Sequence, residues 1–198
     1  MALILGVLSS IPELVRTAAE RCALEFGPIA LASDLADFSF TRYYDAEMGT
    51  PIKRRLFSFA NLIEPDALAA IKLRTNAVEA DFADSGKYSV PRPVNLDPGY
   101  VAASKLVLAT TKDYSHRIYL RDGIYAEVAL VYHGQQFEPL QWTYPDYRTE
   151  SYARFFMDVR AAYLRRPESK GSPAEALQRE RNTGGPDSLS GCSARGAV

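Results

Sequence analysis

The residues best equipped for chemistry fall into two basic stretches and one aromatic turn. Lys53-Arg54-Arg55 follows Tyr43 and Tyr44 and precedes Phe57 and Phe59. Guanidinium forks match phosphate oxygens and flat rings accept bases by stacking, so this mixture could hold a nucleotide or single-stranded nucleic acid. The competing reading of three adjacent charges is a solvated strand edge that resists aggregation. A second stretch gathers Lys105, Lys112, Asp113, His116 and Arg117, with Asp97 and Glu127 as further acidic candidates. A histidine beside carboxylates is a candidate general base, because its charge changes near neutral pH. The simpler reading of His116 is a hydrogen-bonded structural residue. The third stretch, Trp142 to Arg148, is rich in Tyr and Pro and suits either a ligand wall or a rigid cover with Asp146 paired to Arg148.

Other chemistries lack their signatures. No His-Glu-x-x-His and no paired Cys motif occurs, so no metal site is expected, and no residue pattern names a cofactor. The formal net charge is -1, which gives no global attraction to nucleic acid or membrane; such a partner would need a local patch. Tyrosine is abundant, with 12 copies, many beside charged residues; its flat apolar face and hydroxyl suit half-buried or ligand-facing positions.

The elements that must position these residues follow from periodicity. Residues 2 to 8 are almost wholly apolar and read as a central strand. A helix over 11 to 26 is expected to open with a capping box between Ser10 and Glu13 and to stop at Gly27-Pro28. Residues 29 to 40 and 52 to 60 read as strands. Pro65-Asp66 opens a second helix with Leu68, Ile71, Thr75, Val78 and Phe82 on one face, leaving Lys72, Arg74 and Asp81 for water or a neighbour. The span 84 to 98 reads as loop with a short strand at 94 to 96. Asp97-Pro98 is then expected to cap a third helix.

Segments 115 to 121 and 124 to 133 form a hairpin. A three-residue loop over Arg121-Asp122-Gly123 sets Ile118 opposite Ala126, Leu120 opposite Ile124 and Arg117 opposite Glu127, the pattern that best matches the side chains. A last helix near Thr149 buries Tyr152, Phe155, Phe156, Val159 and Tyr163.

The expected fold is α+β, a mainly antiparallel sheet with helices packed on it, ferredoxin-like with additions. One globular domain is assigned to 1–166 and a disordered tail to 167–198, where Ser, Gly, Pro and charge dominate. Cys22 and Cys192 are placed too differently to pair, and no leader or membrane span is read, so the expected compartment is the cytoplasm.

Several longer strings resemble a bacterial family numbered 4416 among the domains of unknown function. They are Tyr43-Tyr44-Asp45-Ala46-Glu47-Met48-Gly49-Thr50-Pro51, Asn95-Leu96-Asp97-Pro98-Gly99-Tyr100, the run from Lys105 to Leu120, and Trp142-Thr143-Tyr144-Pro145-Asp146-Tyr147-Arg148. The resemblance covers about residues 1 to 166 and implies no activity or cofactor. Some members carry the label GTP-binding protein. The usual elements for that are missing here: Ser85-Gly86-Lys87 is followed by Tyr88 where Ser or Thr should hold magnesium, and Asp81 stands in place of the first Gly.

The leading functional expectation is a binding module for a phosphate-bearing small molecule or nucleotide. Its candidate residues are Tyr43, Tyr44, Lys53, Arg54, Arg55, Lys105, Lys112 and Arg117. The alternatives are an enzyme using Asp97, Asp113, His116 or Glu127 for acid-base chemistry, and a protein-interaction domain. Convergence of the two basic stretches on one concavity would separate them.

Overall fold

The computed structural model describes residues 1–166; the expected tail lies outside the described residues. The first strand, β1 (Ala2–Ser9), is buried at every position, as its uninterrupted apolar run requires for a strand covered on both faces. Leu3, Leu5 and Val7 point to one face and Ala2 and Ile4 to the other. The chain then forms α1 (Pro12–Phe26), the short strands β2 (Ile29–Ala32) and β3 (Ala36–Asp37), and one helical turn, α2 (Asp45–Met48). After these come β4 (Lys53–Leu62) and α3 (Leu68–Asp84). The second half contains β5 (Asn95–Val101), β6 (Lys105–Thr110), β7 (Ile118–Arg121), β8 (Ile124–His133), β9 (Gln136–Pro139) and α4 (Glu150–Leu164).

All pairings are antiparallel and join the strands in the order β2-β4-β1-β5-β6-β8-β7, with β3 on β4 and β9 on β8. The units β1-α1-β2 and β4-α3-β5 interlock, so their strands lie in the order β2-β4-β1-β5. This is the ferredoxin-like arrangement, and β6 to β9 extend it. Helices α1 and α3 cover one face and bury Leu14, Val15, Ala18, Ile71 and Val78 against the odd-numbered side chains of β1. On the other face, α4 packs Phe155, Phe156, Val159 and Tyr163 over Ile4, Leu56, Val101 and Leu106. None of the helices among the described residues is long and apolar enough to cross a membrane.

Local expectations needed revision where tertiary contacts outweighed local signals. The capping box does not form: Ser10 Oγ donates to the Met48 carbonyl, and Ser9 Oγ accepts from the Ile11 amide at 3.0 Å. The strand expected over 29 to 40 is broken into β2 and β3, both held by β4. The third helix is absent. Asp97 and Pro98 lie inside β5, with Gly6 opposite Asp97 and Leu5 opposite Pro98, because the apolar residues of 100–109 find partners in β1 and β8. Proline carries no N–H, so it tolerates such a ladder only with its nitrogen turned from the partner.

The β7–β8 register is the expected one at Ile118–Ala126 and Tyr119–Tyr125. The connection is tighter than the expected three-residue loop, because Arg121 pairs with Ile124. Asp122 and Gly123, at φ 52° and 75°, make the turn alone, and an irregularity at Leu120 absorbs the additional residue.

The pairing of β5 with β6 runs only from Gly99–Leu108 to Val101–Leu106, and toward Asn95 and Thr110 the two strands have no cross-pairs. Gly99 sits at the point of closest approach: a Cβ there would overlap the Val107 carbonyl oxygen and stand 2.8 Å from Leu108 Cδ2. Gly99→Ala is therefore expected to cost about 1–3 kcal/mol in urea denaturation, because backbone must move to admit the methyl group. A loss below about 0.5 kcal/mol would show that the two strands are not locked at this point.

Candidate functional site

Where β5 and β6 part, a cavity of about 720 Å³ opens on the face that carries α4. Its depth is set by β4 and β5. Arg54, on β4, lies over Gly6 of β1, where any side chain would stand 2.8 Å from its Nη2. Only glycine leaves room for a guanidinium flat on the sheet. Nη1 of Arg54 donates to Asp146 Oδ2, Nη2 donates to the Tyr147 hydroxyl at 2.7 Å, and Asp97 Oδ2 lies 3.6 Å away. The Tyr147 ring is 4.8 Å from the guanidinium carbon and that of Phe38 is 5.6 Å away. Burial acts to lower the Arg54 pKa, but Tyr147, Asp146 and Asp97 outweigh it and raise it, so the group stays charged. Burial raises the Asp146 pKa more than Arg54 lowers it.

Lys72 enters from α3 on the opposite face of the sheet, through the gap left between β5 and β6. Its ammonium donates to the Leu96 carbonyl at 2.7 Å and stands 3.9 Å from Glu79. Glu79 Oε2 also accepts from Arg92 at 3.0 Å, and burial raises its pKa. Arg92 reaches over to the Asn95 side-chain oxygen as well.

The outer wall is aromatic. The rings of Tyr114, His116 and Trp142 stack in sequence, with centroids 6.1 Å and 5.1 Å apart. A carboxylate can only accept, so His116 donates Nε2–H to Glu127 Oε2 over 3.1 Å. Glu127 is buried and also accepts from Arg117 Nε at 2.8 Å. The remaining donors of Arg117 go to the Lys112 carbonyl and the Tyr144 hydroxyl, at 2.9 Å and 2.8 Å. The turn carrying Trp142 and Thr143 fills the edge of β8 between β7 and β9: Trp142 Nε1 donates to the Val128 carbonyl at 2.9 Å and Thr143 Oγ1 donates to that of Ala129 at 2.5 Å. Tyr43 and Lys112 stand exposed at the rim, the ammonium 4.1 Å from the ring centre and paired with no carboxylate among the described residues.

The cavity thus gathers Tyr43, Tyr44, Arg54, Lys112 and Arg117 from the candidate binding residues, and Asp97, His116 and Glu127 from the acid-base candidates. Lys53 turns outward to Asp37 at 2.6 Å, Arg55 donates to the Ser33 carbonyl at 2.6 Å on the opposite face, and Lys105 lies at the far end of β6. Asp113 is exposed and does not line the cavity. Asp146 pairs with Arg54 and not with Arg148, whose guanidinium instead donates to the carbonyls of Leu140, Gln141 and Thr143. Lys72, Arg92 and Asn95 are lining residues that sequence reasoning did not single out. A lone lysine beside an apolar stripe carries no sign that it will pass between two strands. No group of three or more His, Cys, Asp or Glu able to hold a metal ion occurs among the described residues.

The sequence matches the family described as Domain of unknown function (DUF4416) over residues 1–163. The chain belongs to this family. No curated protein and no solved structure matches it. The matched span contains the whole cavity and ends within α4.

Replacing Arg54 with Met leaves Asp146 buried without its cation, which is expected to cost about 3–5 kcal/mol in urea denaturation. The Arg54→Met, Asp146→Leu double variant should recover much of that loss, because both charges leave together. A single-variant cost under about 1 kcal/mol would contradict a structural role for the pair.

Proposed function

We propose that the protein binds a phosphate-bearing small molecule or nucleotide in the cavity between β5 and β6. The observation that carries this reading is the convergence of Arg54, from the first basic stretch, with Lys112 and Arg117, from the second, on one concavity. Five basic and three acidic side chains line it, together with five tyrosines, and its volume lies in the range typical of small-molecule sites. The geometry divides the labour differently from the sequence. Arg54 and Arg117 are held by carboxylates and hydroxyls, so they build the walls. Lys112 at the rim keeps its ammonium available for a phosphate, while Tyr43 and the Tyr114–His116–Trp142 stack offer flat surfaces to a ring. A cytoplasmic location belongs to the same reading, on the ground that Cys22 is a free, buried thiol.

A second reading has its own observation. Glu127 fixes His116 by a hydrogen bond, and Arg117 fixes Glu127, which is the base-and-orienter arrangement of acid-base catalysis. If this reading holds, a bound phosphoester is turned over by the wild type and not by His116→Gln, while both proteins bind it.

The binding reading is tested by calorimetry of nucleotides and sugar phosphates against wild type and Lys112→Glu, a substitution at an exposed position that leaves the fold intact. Reversing this charge should weaken binding on the order of tenfold or more, and added salt should weaken it further in the wild type. Equal affinity in both proteins, or binding of no phosphate compound by either, would contradict it.

A further inference from the structure

The deepest part of the cavity differs from its rim because its charges already cancel. Arg54, Lys72 and Arg92 line it with Asp146 and Asp97, and Glu79 stands behind Lys72 and Arg92, so three cations meet three carboxylates. A phosphate placed among them would gain little net attraction and would face the Asp97 carboxylate. Hydrogen-bonding capacity is nevertheless left over. Asn95 is 2% exposed, and its side-chain oxygen accepts from Arg92. Arg92 can only donate, which fixes the orientation of the amide and leaves Nδ2, on a residue that lines the cavity, buried and without a partner.

Asp97 lies two residues along the same face of β5. Its nearest cation is Arg54 at 3.6 Å, beyond hydrogen-bond length, and its carboxylate accepts no hydrogen bond from the described side chains. Lys72 donates once, to the Leu96 carbonyl, and its nearest carboxylate is 3.9 Å away. Arg54 Nε is also without a partner, but it lies against the β1 backbone at Gly6.

A buried amide donor, an ammonium with donors to spare and an unused carboxylate acceptor side by side do not suit an acceptor-only anion. They suit groups that donate and accept at once, as hydroxyls do. We propose that this floor holds the hydroxyl-bearing part of a sugar phosphate, with Asn95 Nδ2 and Lys72 donating to hydroxyl oxygens and Asp97 accepting hydroxyl protons. The phosphate then points outward to Lys112. This inference rests on the reading of the cavity as a site for phosphate-bearing small molecules, and it adds the ligand's class and direction.

The test is calorimetry on the full chain with ribose 5-phosphate, glucose 6-phosphate and ethyl phosphate, which carries the same monoester without hydroxyls. A sugar phosphate should bind the wild type about tenfold or more tightly than ethyl phosphate. The near-isosteric Asn95→Leu and Asp97→Asn, neither of which adds a negative charge, should shrink that gap to about threefold or less and leave ethyl phosphate no more weakly bound. Lys112→Glu should weaken both compounds alike and preserve the gap. Either floor variant suffices if the other fails to fold, as judged by circular dichroism. Binding of all three compounds with equal affinity by the wild type overturns the floor assignment and leaves the phosphate site standing. A gap that survives both floor substitutions also overturns it. Binding of none of the three removes both readings.

Discussion

One buried guanidinium organises the ligand-facing side of this fold. Arg54 leaves water at the cost of its hydration, and the structure offsets that cost with Asp146, the Tyr147 hydroxyl, a nearby Asp97 and aromatic faces. Asp146 and Tyr147 belong to the turn before α4, so the same contacts fix the approach of that helix to the sheet. Gly6 in β1 and Asp97 in β5 stand opposite each other and serve the same residue, one by leaving room and the other by supplying charge. A ferredoxin-like core would be complete without this arrangement. The cavity would not, because its inner wall consists of the groups that Arg54 holds in place.

The second constraint is the parting of β5 and β6. A continuous sheet would close the cavity from below and strand Lys72 on the helical side. Because cross-pairing ends at Gly99 and Leu108, the lysine passes through, the Leu96 carbonyl finds a donor, and Asn95 and Asp97 line the cavity. Backbone groups left without ladder partners need other ones, and Leu96 meets this need twice: Glu79 accepts from its amide at 2.8 Å and Lys72 donates to its carbonyl.

Much of this architecture is legible in the amino-acid sequence, and for physical reasons. The apolar run of 2 to 8 can only be a doubly covered strand, and the stripe of Tyr152, Phe155, Phe156, Val159 and Tyr163 can only face a core; all five are buried. Two strand-helix-strand units imply the interlocked sheet that forms. The hairpin's pattern identifies the Ile118–Ala126 register and brings Arg117 to Glu127, while the loop length fails because a bulge at Leu120 lets a tighter turn serve the same register. Asp97-Pro98 misleads, since an Asp-Pro pair is a good helix start wherever no neighbouring strand competes. Here β1 competes and prevails. The convergence of residues 43–44, 54 and 112–117 depends on bringing 112–117 to segments 58 or more positions away, which no local pattern encodes. The dispersal of Lys53, Arg55 and Lys105 has a simpler cause, because alternate residues of a strand face opposite sides and opposite ends of a strand are far apart.

The account's central claim, that one cavity between β5 and β6 receives a phosphate-bearing ligand, is tested most directly by mapping backbone amide shifts of the full chain by NMR during titration with ribose 5-phosphate. The account predicts saturable shifts concentrated at residues 95–97, 108–117 and 142–147, with β2, β9 and the exposed face of α1 unmoved. Saturable shifts centred on another surface, or none at millimolar ligand, would contradict it.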